Sequence, residues 1–216
     1  MKIKNILSIL FVAIACVAPN VYADDAHAGY VKVDVEGLNS FENIISNASF
    51  DVEFTQSDVR SVKVYAAPEE VGNVNLSIVG KTLFVGVKEN TNVSQKAKVI
   101  ITAPELLCAI VSASGDIEVK NLNNTKFTAT GSGSGDVELT GSCDEAEYTV
   151  SGSGKVDADD FLVKDILRAT VSGSGSIDCR VLDTLYASVT GSGNIEYHGH
   201  PRTINRSGRR TGIRHD

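Results

Sequence analysis

The 216-residue chain has no tryptophan, one methionine and four cysteines, and aromatic residues make up only 6% of it. A carbohydrate-cleaving cleft commonly uses aromatic platforms, so this poverty argues against a polysaccharide-acting enzyme. The cysteines form no CxxC pair, and their wide spacing is unlike that of a structural zinc site. No apolar run is long enough to cross a bilayer as a helix. An excess of positive charge is missing as well: 20 Lys and Arg face 27 Asp and Glu, for a formal charge of −7. That balance argues against nucleic acid as a ligand of the body of the chain.

What is present begins with an export leader. Lys2 and Lys4 precede the apolar run "ILSILFVAIACVA", and Val21-Tyr22-Ala23 fits the small-x-small rule for signal peptidase. Residues 1–23 are therefore expected to be a signal peptide and residues 24–32 a linker. The protein is then placed in the periplasm, at the outer membrane surface or outside the cell. Cys16 offers a lipoprotein alternative, but Ala13 stands where such a site has a larger aliphatic residue. Cleavage removes Lys2 and Lys4 and no acid, which takes the formal charge to −9. It leaves Cys108, Cys143 and Cys179, an odd number, so at least one thiol is unpaired. All three read as small buried apolar residues. Arg202, Arg206, Arg209, Arg210 and Arg214 crowd the end of the chain. Residues 209–216 read as a solvated basic tail, with an electrostatic tether to an anionic surface as its functional alternative.

The second half is self-similar. Gly115, Gly135, Gly154, Gly175 and Gly193 each close an SG or GSG element, at separations of 20, 19, 21 and 18 residues. The stretches that follow them are "DIEV", "DVEL", "KVDA", "SIDC" and "NIEY". Apolar residues alternate with polar ones, the period of a strand with one buried face. Upstream, Leu107-x-Ala109-x-Val111 recurs as Ala146-x-Tyr148-x-Val150, Leu167-x-Ala169-x-Val171 and Leu185-x-Ala187-x-Val189. A further apolar residue, Leu122, Phe161 or Leu182, stands seven after the glycine. Each repeat thus holds two strands, a glycine-serine bend and a looser return segment. Such a unit cannot bury its own apolar face and must stack on its neighbours. About twenty residues per copy suits one coil of a parallel β-helix, so the fold class is all-β and the architecture a solenoid.

Before Pro104 the repeat is fainter. "ASFDVEF" (residues 48–54) aligns with "ASGDIEV" (residues 113–119), with Phe50 in the place of Gly115. "VNLSIVGKTLFVGV" reads as two strands joined at Gly80-Lys81, a hairpin. Residues 33–103 are read as irregular coils continuous with the regular repeats of residues 104–200. A separate β-sandwich cap is the alternative.

These GSGD-type repeats, together with "FENIISNASFDVEF", "IITAPEL" and "YHGHPRTINRSG", resemble the head GIN domain family of putative auto-transporter adhesins. The resemblance covers residues 33–208. It implies a right-handed parallel β-helix in an exported bacterial protein, and it brings no catalytic motif.

The motifs that could carry chemistry fail on context. In "TGSGSGDVELTG" (residues 130–141) a strand follows the glycines, whereas a phosphate cradle opens a helix. Gly80-Lys81-Thr82 lacks the upstream glycine of a Walker A loop. A calcium nonapeptide needs a period of nine, and Lys155 would repel the ion from the column. "VDADDFLVKD" gathers Asp157, Asp159, Asp160 and Asp165 as a solvated loop or a weak acid/base candidate. His198 and His200 share one face of a strand without an evident third metal ligand. No cofactor or metal is therefore expected.

One column remains. Glu118, Glu138, Asp157, Asp178 and Glu196 each follow the same core position, and stacking would align them as an acidic ladder. It is either a binding face or a device against sheet aggregation. The expected function is an exported, non-enzymatic, adhesin-like binding scaffold at the bacterial cell envelope. Its partner would be an envelope or extracellular glycan or protein. The competing classes are an envelope polysaccharide-acting enzyme and a structural unit that self-assembles edge to edge at its open ends.

Overall fold

The computed structural model describes residues 30–216 and the backbone of a short strand, β1 (Leu10–Phe11), which pairs antiparallel with Ser77 and Ile78. Apart from that strand, the expected leader, its cleavage after Ala23 and the alternative at Cys16 lie outside the described residues. The chain then forms β2 (Val31–Asp34), β3 (Asn43–Ser46), β4 (Asp51–Gln56), β5 (Ser61–Ala66), β6 (Val74–Val79), β7 (Thr82–Val87), β8 (Lys98–Ala103) and β9 (Cys108–Val111). Three long runs follow: β10 (Ile117–Gly131), β11 (Val137–Val150) and β12 (Lys155–Val171). The end is built from β13 (Ser176–Val181), β14 (Thr184–Val189), β15 (Asn194–His198), β16 (Thr203–Gly208) and β17 (Ile213–His215). All belong to one continuous hydrogen-bonded sheet wound into stacked coils, a β-solenoid.

Two long sides of the coil carry the stacking. One begins with β8 and continues through β4 and the first halves of β10, β11 and β12 to β13, β15 and β17, every pairing parallel. The other runs from β7 through β3 and β9 to the second halves of β10, β11 and β12, then β14 and β16, again parallel throughout. The return segment is more regular than its sequence suggests. Leu122, Asn123 and Asn124 pair with Gly141, Ser142 and Cys143, which pair in turn with Phe161, Leu162 and Val163. A third side results because Leu122, Cys143, Phe161 and Val163 all point into the core. Leu182 does not follow them and is 49% exposed, since Val181 takes the inward register above Val163.

Register places like on like, so the core is made of columns. Ile117, Val137, Val156, Ile177 and Ile195 form one, and Ala109, Ala129, Tyr148, Ala169 and Ala187 another. In the second column small residues flank the one large ring, which relieves a stack of identical bulky side chains. The bends stack just as closely. A Cβ on Gly135, Gly154, Gly175 or Gly193 would lie 1.9–2.2 Å from a carbonyl oxygen of the coil beneath, so only glycine allows the backbones to approach. Bend amides donate across coils, as Ser134 does to the Ala113 carbonyl (3.0 Å) and Ser153 to the Gly133 carbonyl (3.0 Å).

The first half extends the same sheet. β4 lies under β10 with Val52 on Ile117 and Phe54 on Val119, the register implied by the alignment of "ASFDVEF" with "ASGDIEV". β6 and β7 form the expected hairpin, with Val79 opposite Thr82 and Gly80 at φ +62°, the left-handed region that glycine enters without strain. Its antiparallel pairing, like that of β2 with β5 and β5 with β8, departs from the coil pattern. β2 begins within the stretch expected as linker because Val31 and Val33 are buried against β5. The basic tail also differs from expectation: residues 213–215 form β17 on β15, and Ile213 is buried over Ile195.

Candidate functional site

The first-half strands of successive coils bring the acidic ladder together. Glu118 pairs with Glu138, Glu138 with Asp157, Asp157 with Asp178 and Asp178 with Glu196. Each sits between two inward-pointing residues, so strand alternation sends it outward. The column is longer than the five residues picked from the repeats. Glu53 continues it below Glu118, Ile100 ends it there, and Arg214 closes it above Glu196. With coils ~4.8 Å apart, six carboxylates span ~24 Å.

Such a column repels itself, and cations at both ends relieve it unequally. Lys120 bridges Glu53 (3.2 Å) and Glu118 (3.0 Å), and Lys98 also reaches Glu53 (3.2 Å). Burial alone would raise the Glu53 pKa, but the hydrogen bonds from Lys120 and Lys98 hold it below the ordinary glutamate value. Farther along, Lys155 pairs with Asp157 (2.6 Å) and Asp178 (3.6 Å), and His198 Nε2 lies 2.7 Å from Asp178 Oδ1. Glu138, between the two groups, has no ion pair among the described residues. Partial burial, then the charges of Glu118, Asp157, Asp116 and Asp136, push its pKa up. Glu138 also borders a shallow notch of about 110 Å³, lined by Asp51, Glu53, Lys98, Asp116 and Glu118.

The neighbouring acidic positions do architectural work. Asp51 Oδ1 accepts from the Asp116 amide (3.2 Å), Asp116 Oδ1 from the Asp136 amide (2.7 Å), and Asp136 Oδ1 from the Lys155 amide (2.6 Å). Where an aspartate follows the bend, as Asp51, Asp116 and Asp136 do, it thus caps the backbone of the next coil. This relay gives the aspartate of "TGSGSGDVELTG" its place, and Val137 and Leu139 of that stretch are core residues.

The other candidates are dispersed. Asp157 is a ladder rung, whereas exposed Asp160 lies beyond a register shift at Ala158, so "VDADDFLVKD" does not form one carboxylate cluster. His198 contacts Asp178 and lies 3.4 Å from Asp216, while the His200 ring packs edge-on against His215 at 5.4 Å. No group of three or more metal-ligating side chains occurs among the described residues. Cys143 and Cys179 are buried free thiols and Cys108 is half-buried. Burial raises all three pKa values, that of Cys143 to about 12. Glu53 could have been found from the "ASFDVEF" alignment, and Arg214 from Gly212-Ile213, a shortened echo of the repeat. Lys98 carries no repeat signal; only the coil register places it.

The family profile described as putative auto-transporter adhesin, head GIN domain, matches residues 40–201. A putative adhesin from Bacteroides fragilis has a similar structure, with TM-score 0.68 and 21% identity over 86% of this chain and 94% of its own. A putative lipid binding protein from Parabacteroides distasonis (TM-score 0.51, 20% identity, 87% and 97% covered) is also similar. So is a putative adhesin from Parabacteroides merdae (TM-score 0.51, 17% identity, 87% and 96% covered). Among curated proteins, none matches. At these identities the structures share the fold, and the family match over three quarters of the sequence settles membership: the chain belongs to the head GIN domain family of putative auto-transporter adhesins.

Proposed function

We propose that the protein is an exported, non-enzymatic binding scaffold of the bacterial envelope, and that it holds an extended glycan or protein ligand along the acidic ladder. The observation that carries this reading is the ladder itself. Six carboxylates stand in register, with Glu138 free of ion pairs among the described residues and at the edge of a notch. Parallel coils offer a repeat of ~4.8 Å, which suits a polymer that presents hydroxyl or cationic groups at regular intervals. A sheet that needed only protection from aggregation would be served equally well by fully neutralised pairs. The names of the family and of its structural relatives agree with a binding role.

The geometry gives less support to an enzyme. The notch is far smaller than the several hundred Å³ of a usual substrate pocket. A larger concavity of about 440 Å³ over the β6–β7 hairpin is lined by Asn47, Asn75, Ser77 and apolar residues, none of which titrates. The test is a glycan and envelope-protein array probed with residues 24–216 and with the triple variant Glu118→Lys, Glu138→Lys, Glu196→Lys. The ladder is expected to give hits that the variant loses while it keeps its melting temperature. Hits retained by a folded variant would remove the ladder from the function.

A further inference from the structure

The last coil carries a surface of the opposite sign. Arg202, Arg206, Arg209, Arg210 and Arg214 are all exposed, and Asp216 is the single acidic side chain in that stretch. Two of the arginines hold the coil together. Arg209 donates to the carbonyls of Gly191 (3.1 Å), Ser192 (2.8 Å) and Gly193, closing the column of bends. Arg206 stands in register above buried Ala187, with its guanidinium 5.5 Å from the centre of the Tyr197 ring. The others face outward. Arg202 has a distant contact with Asp183 (3.6 Å), and Arg210 and Arg214 have no ion pair among the described residues.

Apolar side chains share this end of the solenoid. Of the four large hydrophobic residues exposed among the described residues, Leu182 (49%), Tyr186 (41%) and Ile204 (39%) lie on the last two coils. Ile204 occupies the inward register above Leu185 but has no coil over it among the described residues, so the core ends open there. β16 is exposed along its whole length.

We propose that this terminal coil docks end-on to a bilayer of anionic phospholipids. Arginines at headgroup depth beside aliphatic and tyrosine side chains are the combination that an interfacial site requires. Charge complementarity selects this occupant. A second copy meeting the same end would set five arginines against five, and nucleic acid would have no use for the exposed Leu182, Tyr186 and Ile204. Docked this way, the stacking axis stands away from the membrane and the acidic ladder points outward from an anionic surface that would otherwise repel it.

The test uses residues 24–216, which contain every buried apolar residue of the described structure. Sedimentation with phosphatidylglycerol/phosphatidylethanolamine vesicles at low salt is compared with sedimentation with phosphatidylcholine vesicles. Binding is expected to the anionic vesicles only and to weaken as salt rises. The variant Arg202→Gln, Arg210→Gln, Arg214→Gln leaves Arg206 and Arg209 in place and is expected to bind on the order of a hundredfold more weakly with an unchanged melting temperature. Leu182→Ser with Tyr186→Ser is expected to weaken vesicle binding several-fold. Equal binding to both lipids, or full binding by the folded arginine variant, would overturn the proposal. So would duplex DNA binding as tight as vesicle binding and insensitive to the Leu182 and Tyr186 changes.

Discussion

Replacing Gly154 by alanine tests the packing of the bends in a way that no loss of function could imitate. The new methyl would stand 2.1 Å from the Gly135 carbonyl oxygen, 3.0 Å from its carbonyl carbon and 3.2 Å from Asp136 Oδ1. The nearest neighbour is backbone, and the Asp136 carboxylate is held in place by the Lys155 amide (2.6 Å). The coil above is equally close, since a Cβ on Gly175 would lie 1.9 Å from the Gly154 carbonyl oxygen. Relief therefore requires the bend to part by ~1.3 Å, from 2.1 Å to the 3.4 Å at which ordinary contact begins. That movement strains the hydrogen bonds from Ser153 to Gly133 (3.0 Å) and from Ser176 to Gly154 (3.2 Å). Losing two bonds at about 1 kcal/mol each, with an overpacking cost of 1–3 kcal/mol, gives a destabilisation of about 3–5 kcal/mol. At roughly 2–4 °C per kcal/mol for a domain of this size, Tm should fall by about 6–20 °C. Gly86→Ala is the control, because a Cβ there meets nothing within 4 Å, and it should stay within about 0.5 kcal/mol. Thermal unfolding followed by circular dichroism decides the matter. A Gly154→Ala protein that melts with the Gly86→Ala control would refute stacked bends.

Tyr148 is wholly buried, and its hydroxyl has no hydrogen-bond partner among the described residues. Tyr148→Phe should stabilise the protein by about 1–3 kcal/mol in denaturant unfolding, the cost of an unsatisfied buried polar group. The ladder carboxylates should act oppositely in pH titrations of stability. Glu138 has a raised folded pKa, so its favourable contribution is complete below 4.5 and is lost as pH rises through the folded value. Glu53 has a lowered one, so its contribution is present above 4.5 and is lost as pH falls through the folded value. Glu138→Gln should therefore raise Tm slightly at pH 7, by no more than about 0.5 kcal/mol in stability for so exposed a group, while Glu53→Gln lowers it. Ellman's reagent at pH 8 should leave Cys143 and Cys179 unlabelled until denaturant is added, with Cys108 reacting slowly in the native state.

The sequence shows its periodic features well and its exceptions poorly. Alternation after each glycine places Val137, Leu139, Ile177 and Ile195 in the core, because parallel stacking makes every coil answer to the same pattern. For the same reason the rungs Glu118 to Glu196 could be aligned from spacing alone. The third side is obscured because the strand pairing shifts register just before it, between Val119 and Leu122, Glu138 and Gly141, and Ala158 and Leu162, so the inward position changes from one repeat to the next. That shift buries Phe161 and Val163 yet exposes Leu182. The tail misleads because composition reports its arginines but not their separate fates: Arg209 is held by carbonyl oxygens of the bends and Arg206 lies over the Tyr197 ring, while the others face outward. The cations that divide the ladder into paired and unpaired stretches come partly from outside the repeat, and Lys98 reaches Glu53 only through the pairing of β8 with β4.

Carboxyl footprinting with a carbodiimide and an amine label, in the presence and absence of a partner recovered from the array, tests the central claim most directly. The partner should protect Glu138 and its neighbours Glu118, Asp157 and Glu196, and leave exposed carboxylates remote from the ladder, such as Glu69 and Glu89, labelled as before. Unchanged labelling of Glu138 in a saturated complex, with protection elsewhere on the solenoid, would contradict it.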